Sequence, residues 1–284
     1  MRSMSEGSVA ATAETKFIDA GDVRYAYREM GPKGGIPLVL CHRFRGTMDD
    51  WDPALIDALA RERHVILFDN VGIGLSTGAV LPSIKGMADR AAQFITVMGF
   101  GTVDLLGFSM GGYVAQIVTL DYPRLVRKLV LAGTGPGGGE GIQVADPKVR
   151  EVSGRPVLGL EEFLYLFFSP SEASRAAAAR YWERLHLRGP DRAPPVPQIG
   201  IEAQVTAIRA WSQGEGSAFP RLPEIKQPVL VANGSNDVMI PTINSFLMAQ
   251  RLRDSLLIVY PDSGHGFLFQ YPGRFAQHAL DFLL

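Results

Sequence analysis

The chain has 284 residues, with 28 Lys and Arg against 29 Asp and Glu, a formal net charge of −1. That balance excludes the strongly basic footprint of a nucleic-acid-binding domain and the acidic make-up of a disordered chain, while 46% hydrophobic residues supply a sizeable core. The single Cys41 excludes a disulfide framework, no apolar stretch reaches the roughly 18 residues of a membrane span, and a surplus of 31 glycines calls for many tight turns.

Residues 1–16 are small and polar with no apolar core, so they read as a frayed tail rather than a signal peptide, and the expected location is cytoplasmic. Phe17–Ala20 and Val23–Arg28 flank Gly21-Asp22 and read as a β-hairpin. Short apolar runs follow at Ile36–Cys41, Val65–Phe68, Val103–Phe108, Val126–Ala132, Val229–Ala232 and Leu256–Tyr260. Continuous apolar runs bounded by turn residues suit strands buried on both faces of a parallel sheet. Between them lie helical patterns at Pro53–Arg63, Ile84–Met98, Met110–Leu120, Pro241–Arg253 and Arg274–Leu284. Alternating strands and helices imply right-handed crossovers and a three-layer α/β architecture.

The alternation breaks once, from 135 to 223. That stretch opens on Gly135-Pro136-Gly137-Gly138-Gly139 and holds helical patterns at Leu160–Phe168, Ser171–Leu187 and Ile199–Trp211, with no buried-strand run. It reads as a helical insertion lying over the sheet, so the core is 17–134 plus 224–284 and the insertion is 135–223.

Gly107-Phe108-Ser109-Met110-Gly111 matches G-x-S-x-G, and so does Gly74-Leu75-Ser76-Thr77-Gly78. The chemistry needs a sharp strand-to-helix turn that exposes Oγ. Ser109 directly follows a strand pattern and directly precedes a helical one, whereas Ser76 lies inside a loop, so Ser109 is the candidate nucleophile. A serine hydroxyl needs a base and an orienting acid. His42, His64, His186, His265 and His278 are the histidines, and His265 stands out in Asp262-Ser263-Gly264-His265-Gly266, a loop just past a strand end, where open α/β sheets bind ligands. Asp237 follows the strand Val229–Ala232 in Asn233-Gly234-Ser235-Asn236-Asp237 and is the candidate acid, with Asp262 its competitor.

The motifs Gly-Phe-Ser-Met-Gly-Gly at 107–112, Gly-Ser-Asn-Asp at 234–237 and Ser-Gly-His-Gly-Phe at 263–267, in the order Ser, Asp, His, resemble those of the α/β-hydrolase family, over nearly all the chain from Phe17 to Leu284. The resemblance implies a three-layer fold with a mostly parallel sheet, an N-terminal antiparallel hairpin and a helical cap, or lid, over 135–223. Asp69 to Ser76 resembles a structural segment of the family, with Val71 where an Arg is usual. The resemblance also assigns an oxyanion hole to the backbone N–H groups of Met110 and Phe44, in a loop where Arg43 replaces the usual first Gly. Arg43 and Arg45 are either surface charges balanced by Asp49 and Asp50 or a guanidinium fork for a substrate carboxylate. Phe44, Met239, Ile240 and Phe267, beside the site, and Tyr165, Phe168, Trp182 and Trp211, in the lid, are candidates for an apolar pocket.

The expected activity is acyl transfer to water on a small, largely apolar ester or lactone, with Ser109, His265 and Asp237 as the triad. No cofactor and no metal are expected, nor a nucleic-acid or membrane partner, and the chain is a monomer or homodimer. The same triad in a carbon–carbon bond hydrolase or a perhydrolase is the alternative, as is a ligand receptor on a hydrolase scaffold. Serine at 109 departs from haloalkane dehalogenases and epoxide hydrolases, which carry aspartate there.

Overall fold

The structure, a computed structural model, describes residues 7–189 and 191–284. Eight strands form one sheet: β1 (Lys16–Ala20), β2 (Val23–Met30), β3 (Leu38–Cys41), β4 (Val65–Phe68), β5 (Val103–Phe108), β6 (Val126–Ala132), β7 (Val229–Gly234) and β8 (Ser255–Tyr260). Their order is β1-β2-β4-β3-β5-β6-β7-β8, with β1 and β2 antiparallel and β3 to β8 parallel. Every residue of β3, β4, β5 and β7 is buried, as their unbroken apolar runs require.

Successive side chains of each strand enter opposite layers. Val39, Ile66, Leu105, Leu131 and Val231 pack toward α3 (Ile84–Val97), α4 (Met110–Asp121) and α9 (Ile243–Arg251). Leu40, Leu67, Leu106, Val130 and Leu230 face the layer holding α2 (Pro53–Ala60) and α11 (Pro272–Leu283). Each such side chain, fully removed from water, contributes roughly 1.5–3 kcal/mol before entropy is counted. The chain runs from β3 outward to β4 and then returns to β5 on the other side of β3. This reversal makes the carboxyl ends of β3 and β5 the switch point, where ligands bind in open α/β sheets.

Between β6 and β7 the chain passes through α5 (Pro147–Ser153), α6 (Leu160–Phe167), α7 (Glu172–Leu185) and α8 (Gln198–Ser212), with no strand among them. The short α10 (Phe267–Gln270) precedes α11. An ion pair and a backbone hydrogen bond join this stretch to the core: Arg184 of α7 donates to both oxygens of Asp52 at 2.7 and 2.6 Å, and the Ala193 N–H donates at 2.6 Å to Asp49 Oδ2, whose carboxylate also pairs with Arg28 of the core. No helix among the described residues is long and apolar enough to cross a membrane.

Several boundaries differ from the sequence reading. β3 starts at Leu38, not Ile36, because Pro37 has no N–H for the ladder. α2 stops at Ala60 because Glu62 and Arg63 both turn back to the Leu59 carbonyl. The frayed tail expected over 1–16 is corrected over 8–16; residues 1–6 lie outside those described. Ser8 caps a single turn, α1 (Val9–Thr12), whose Ala10 N–H donates to Asp57 at 2.8 Å, while Arg188 donates to the Ala11 and Ala13 carbonyls.

Candidate active site

Ser109 sits between the last residue of β5 and the first of α4 with φ 57° and ψ −124°, a conformation that costs a residue with a Cβ about 1–3 kcal/mol. The residues two positions away on either side must be glycine for the turn to close. A Cβ on Gly107 would lie 2.4 Å from the Gly111 carbonyl oxygen, and one on Gly111 would lie 2.1 Å from that of Cys41 at the end of β3. The Ser109 N–H donates to Ala132 at 3.0 Å, and its carbonyl accepts from Gly112 N and Thr134 Oγ1, each at 2.8 Å.

Three loops at the carboxyl edge of the sheet meet at this serine. Ser109 Oγ donates to His265 Nε2 at 2.9 Å, and His265 Nδ1 donates to Asp237 Oδ2 at 2.7 Å. The other Asp237 oxygen accepts from the N–H groups of Met239 and Ile240 at 2.8 and 2.9 Å, which fixes the carboxylate plane. The imidazole is fully buried between the rings of Phe108 and Phe167, with centroids 5.0 and 5.4 Å away, and the Gly266 N–H donates to Phe167 at 2.7 Å. With Nδ1 committed as a donor, Nε2 presents a lone pair to the serine proton. This chain of bonds can move a proton from Ser109 and hold the resulting imidazolium against a carboxylate.

The rejected candidates are engaged elsewhere. Ser76 Oγ donates to the Asp69 carbonyl at 2.6 Å and accepts from Ala26 N at 2.9 Å, closing a structural turn. Asp262 accepts from Ser171 at 2.6 Å. His64 pairs with Glu29, His186 with the Trp182 carbonyl and His278 with Tyr260. His42 lies near the site, but its Nε2 donates to the Phe68 carbonyl at 2.7 Å, and burial pushes its pKa down to about 4.

A cleft of about 520 Å³ opens over Ser109. Phe44, Met110, Trp211, Met239 and Ile240 line it, as the sequence suggests. Among the described residues no hydrogen bond engages the N–H of Phe44 or of Met110. The opposite wall is α5 and α8, with Val149, Ser153, Val205 and Ile208. No acidic side chain lines the cleft, whereas Arg150 and Arg209 do, and neither has an ion-pair partner among the described residues. No group of three His, Cys, Asp or Glu among those residues is placed to hold a metal ion.

Six residues expected at the pocket lie elsewhere. Arg43 is buried, donates to Asp50 and to the Phe44 carbonyl, both at 2.9 Å, and lies over the rings of Phe163 and Phe167, so it is neither a surface charge nor a fork open to substrate. Arg45 donates to the carbonyls of Ser153, Arg155 and Pro156 at the end of α5. Phe168 packs on Tyr181, and Phe267 is enclosed by Tyr260 and Phe275. Tyr165 faces Lys148, and Trp182 faces Phe163 and His186. The sequence reading missed α5, Tyr113 and the two cleft arginines. For Tyr113 a signal existed: it stands four residues after Ser109, one helical turn further on the same face.

Residues 36–272 match the model of the alpha/beta hydrolase fold family. The chain is 30% identical over 277 residues to a poly(3-hydroxyalkanoate) depolymerase of Ectopseudomonas oleovorans, covering 95% of this chain and 91% of the relative. It is 25% identical to a 2-hydroxy-6-oxo-6-phenylhexa-2,4-dienoate hydrolase of Comamonas testosteroni, covering 100% and 99% of the two chains. An alpha/beta hydrolase fold protein from Chitinophaga pinensis superposes with a TM-score of 0.88 at 36% identity, over 96% of this chain and 98% of that one.

Proposed function

The chain belongs to the alpha/beta hydrolase fold family, and we propose that this hydrolase cleaves a carboxylic ester or lactone of a small, largely apolar substrate through an acyl-enzyme on Ser109. The observation that carries this reading is the continuous chain from Ser109 Oγ through His265 to Asp237, at 2.9 and 2.7 Å.

In the proposed reaction His265 Nε2 takes the Ser109 proton as Oγ adds to the substrate carbonyl. The oxygen that gains charge accepts from the Met110 and Phe44 N–H groups, and each such donor is worth roughly 2.7–4 kcal/mol at the transition state. His265 then protonates the leaving alkoxide. Water, deprotonated by the same nitrogen, attacks the acyl group and returns Ser109. Asp237 stays ionised throughout, holds the tautomer and stabilises the imidazolium. Residues 135–223 act as the cap: α5 and α8 roof the cleft and set which acyl and alcohol groups fit. The likeness to the depolymerase favours an ester, since a poly(3-hydroxyalkanoate) is joined by ester bonds.

The test is hydrolysis of short p-nitrophenyl esters. Ser109→Ala abolishes turnover while circular dichroism stays unchanged, and a serine-directed phosphonate labels Ser109 stoichiometrically. Full turnover in that variant, or an adduct at Ser76, overturns the assignment.

One observation favours a second reading. The Comamonas relative is named for a ketone dienoate, a substrate without an ester bond, so the same triad in this chain would break a carbon–carbon bond next to a carbonyl. Release of a carboxylic acid from a 6-oxo-dienoate, at a rate exceeding that on any ester or lactone of a panel, selects this reading. Saturable binding with no turnover on the whole panel selects a receptor instead.

A further inference from the structure

The loop after β3 carries Phe44, and the groups that hold it come largely from α5, α6 and α8. The peptide between Phe44 and Arg45 is fixed at both polar atoms. Its carbonyl accepts from Arg43 Nη1 at 2.9 Å, and its N–H donates to Gln204 Oε1 at 3.0 Å. The Gly46 N–H turns back to the Arg43 carbonyl at 3.1 Å. The Phe44 N–H, like those of His42 and Arg43, has no hydrogen-bond partner among the described residues, and of these three residues Phe44 lines the cleft that it shares with Ser109.

Packing alone does not hold this loop. A cavity of about 30 Å³, bordered by Arg43, Gly46, Met110 and Gln204, lies behind it and leaves it room to shift. Arg45 also occupies the left-handed region at φ 58°, which a residue with a Cβ keeps only under outside restraint. Gln204 supplies that restraint from the middle of α8, where it is 2% exposed, and the Arg45 guanidinium ties the loop to the end of α5.

Building on the serine-hydrolase reading, we propose that Gln204 is a positioning residue for the reaction: by accepting from the Arg45 N–H it orients the Phe44 N–H toward the oxyanion, so that the hole is complete only while α8 is seated over the sheet. The sequence separation of 159 residues between the two partners makes the oxyanion donor a reporter of how the cap sits. A bond made to the backbone next to the donor changes the transition state far more than substrate binding, because the oxyanion exists only after attack.

The experiment compares Gln204→Leu and Gln204→Met, which keep volume and remove the acceptor, with Gln204→Glu, which keeps an acceptor oxygen. On p-nitrophenyl butyrate, kcat falls about 10- to 100-fold in Leu and Met with KM within about twofold, and Glu stays within about threefold of the parent. Inhibition by an alkyl trifluoromethyl ketone, whose hemiketal oxygen needs the same donors, weakens by the same factor as kcat. A merely structural role moves neither the inhibitor nor kcat in this way. Gln204→Ala repeats the comparison if the apolar variants do not fold. Unchanged kcat, a loss in KM alone, or a Glu variant as impaired as Leu overturns the positioning role. Those outcomes leave the underlying reading intact as long as Ser109→Ala is inactive; an active Ser109→Ala overturns the reading itself.

Discussion

Thr134 Oγ1 donates a 2.8 Å hydrogen bond to the carbonyl of Ser109, so the segment after β6 braces the turn made by β5. The contact is close on a second side as well, since a Cβ on Gly112 would lie 2.4 Å from the same hydroxyl. Thr134→Val keeps the shape and removes the donor. The carbonyl keeps its bond from the Gly112 N–H, so the cost is about 1 kcal/mol of stability. We expect kcat to drop a few-fold with KM unchanged; denaturant unfolding and ester kinetics measure both. Identical kinetics in the variant would show that the strained turn needs no brace.

Gly111→Ala forces a Cβ to 2.1 Å from the Cys41 oxygen and 2.5 Å from that of His42, both backbone atoms that cannot swing aside. A loss of more than about 4 kcal/mol, or no soluble protein, is expected. Gly273→Ala is the control: nothing lies within 4 Å of its added Cβ, and α11 gains about 0.5–1 kcal/mol from the stiffer residue. Equal midpoints for the two alanine variants would contradict this geometry.

His42 gives a pH signature. Burial pushes its pKa down to about 4 from 6.5, with Asp69 Oδ1 4.0 Å away and Asp49, Asp50 and Arg43 nearby. The folded state therefore favours neutral His42, and this contribution, on the order of 3 kcal/mol, is complete above pH 6.5 and is lost as pH falls toward 4. Burial raises Asp69 to about 7, so its own contribution has the opposite sign over nearly the same range. The His42 part emerges by difference. His42→Gln keeps an N–H for the Phe68 carbonyl, and the Tm gap between wild type and variant should shrink steadily from pH 7 to pH 4. A constant gap sinks the assignment.

We expect Arg150 and Arg209 to favour a substrate that carries a negative charge on its acyl chain. With no carboxylate on its walls, an acyl chain ending in a carboxylate meets two uncompensated guanidinium groups. Each contributes about 1 kcal/mol at this exposure, so p-nitrophenyl hemisuccinate gains roughly fivefold in kcat/KM per arginine over a neutral ester of equal length. The advantage fades with added salt. Replacing each arginine by glutamine and measuring the ratio checks this; an unaltered ratio in the double variant removes the arginines from substrate recognition.

Much of the sheet and the three residues that converge on its edge could be read from the chain itself. Ser109, His265 and Asp237 each follow a strand that announces itself by an unbroken apolar run, and glycine brackets the first two. What escaped reading depends on contacts between distant residues. Arg45 meets carbonyls 108 to 111 positions away, and nothing in its own neighbourhood marks it as the clasp of α5. Phe267 is a large aromatic two residues from His265 and Phe168 is one in the lid, yet they pack on Tyr260 and Tyr181 in the interior rather than lining the cleft. Proximity in sequence says little about which way a side chain points.

Cys41 ends β3, with its carbonyl against Gly111 and its side chain 2% exposed. Burial pushes the thiol up to about 12, so no thiolate is available to an alkylating reagent in the folded chain. It is also the sole cysteine of the sequence. The molecule therefore carries a built-in label for loss of its central strand: maleimide uptake by the native chain times the opening of the sheet, and an engineered surface cysteine can be dye-tagged without background.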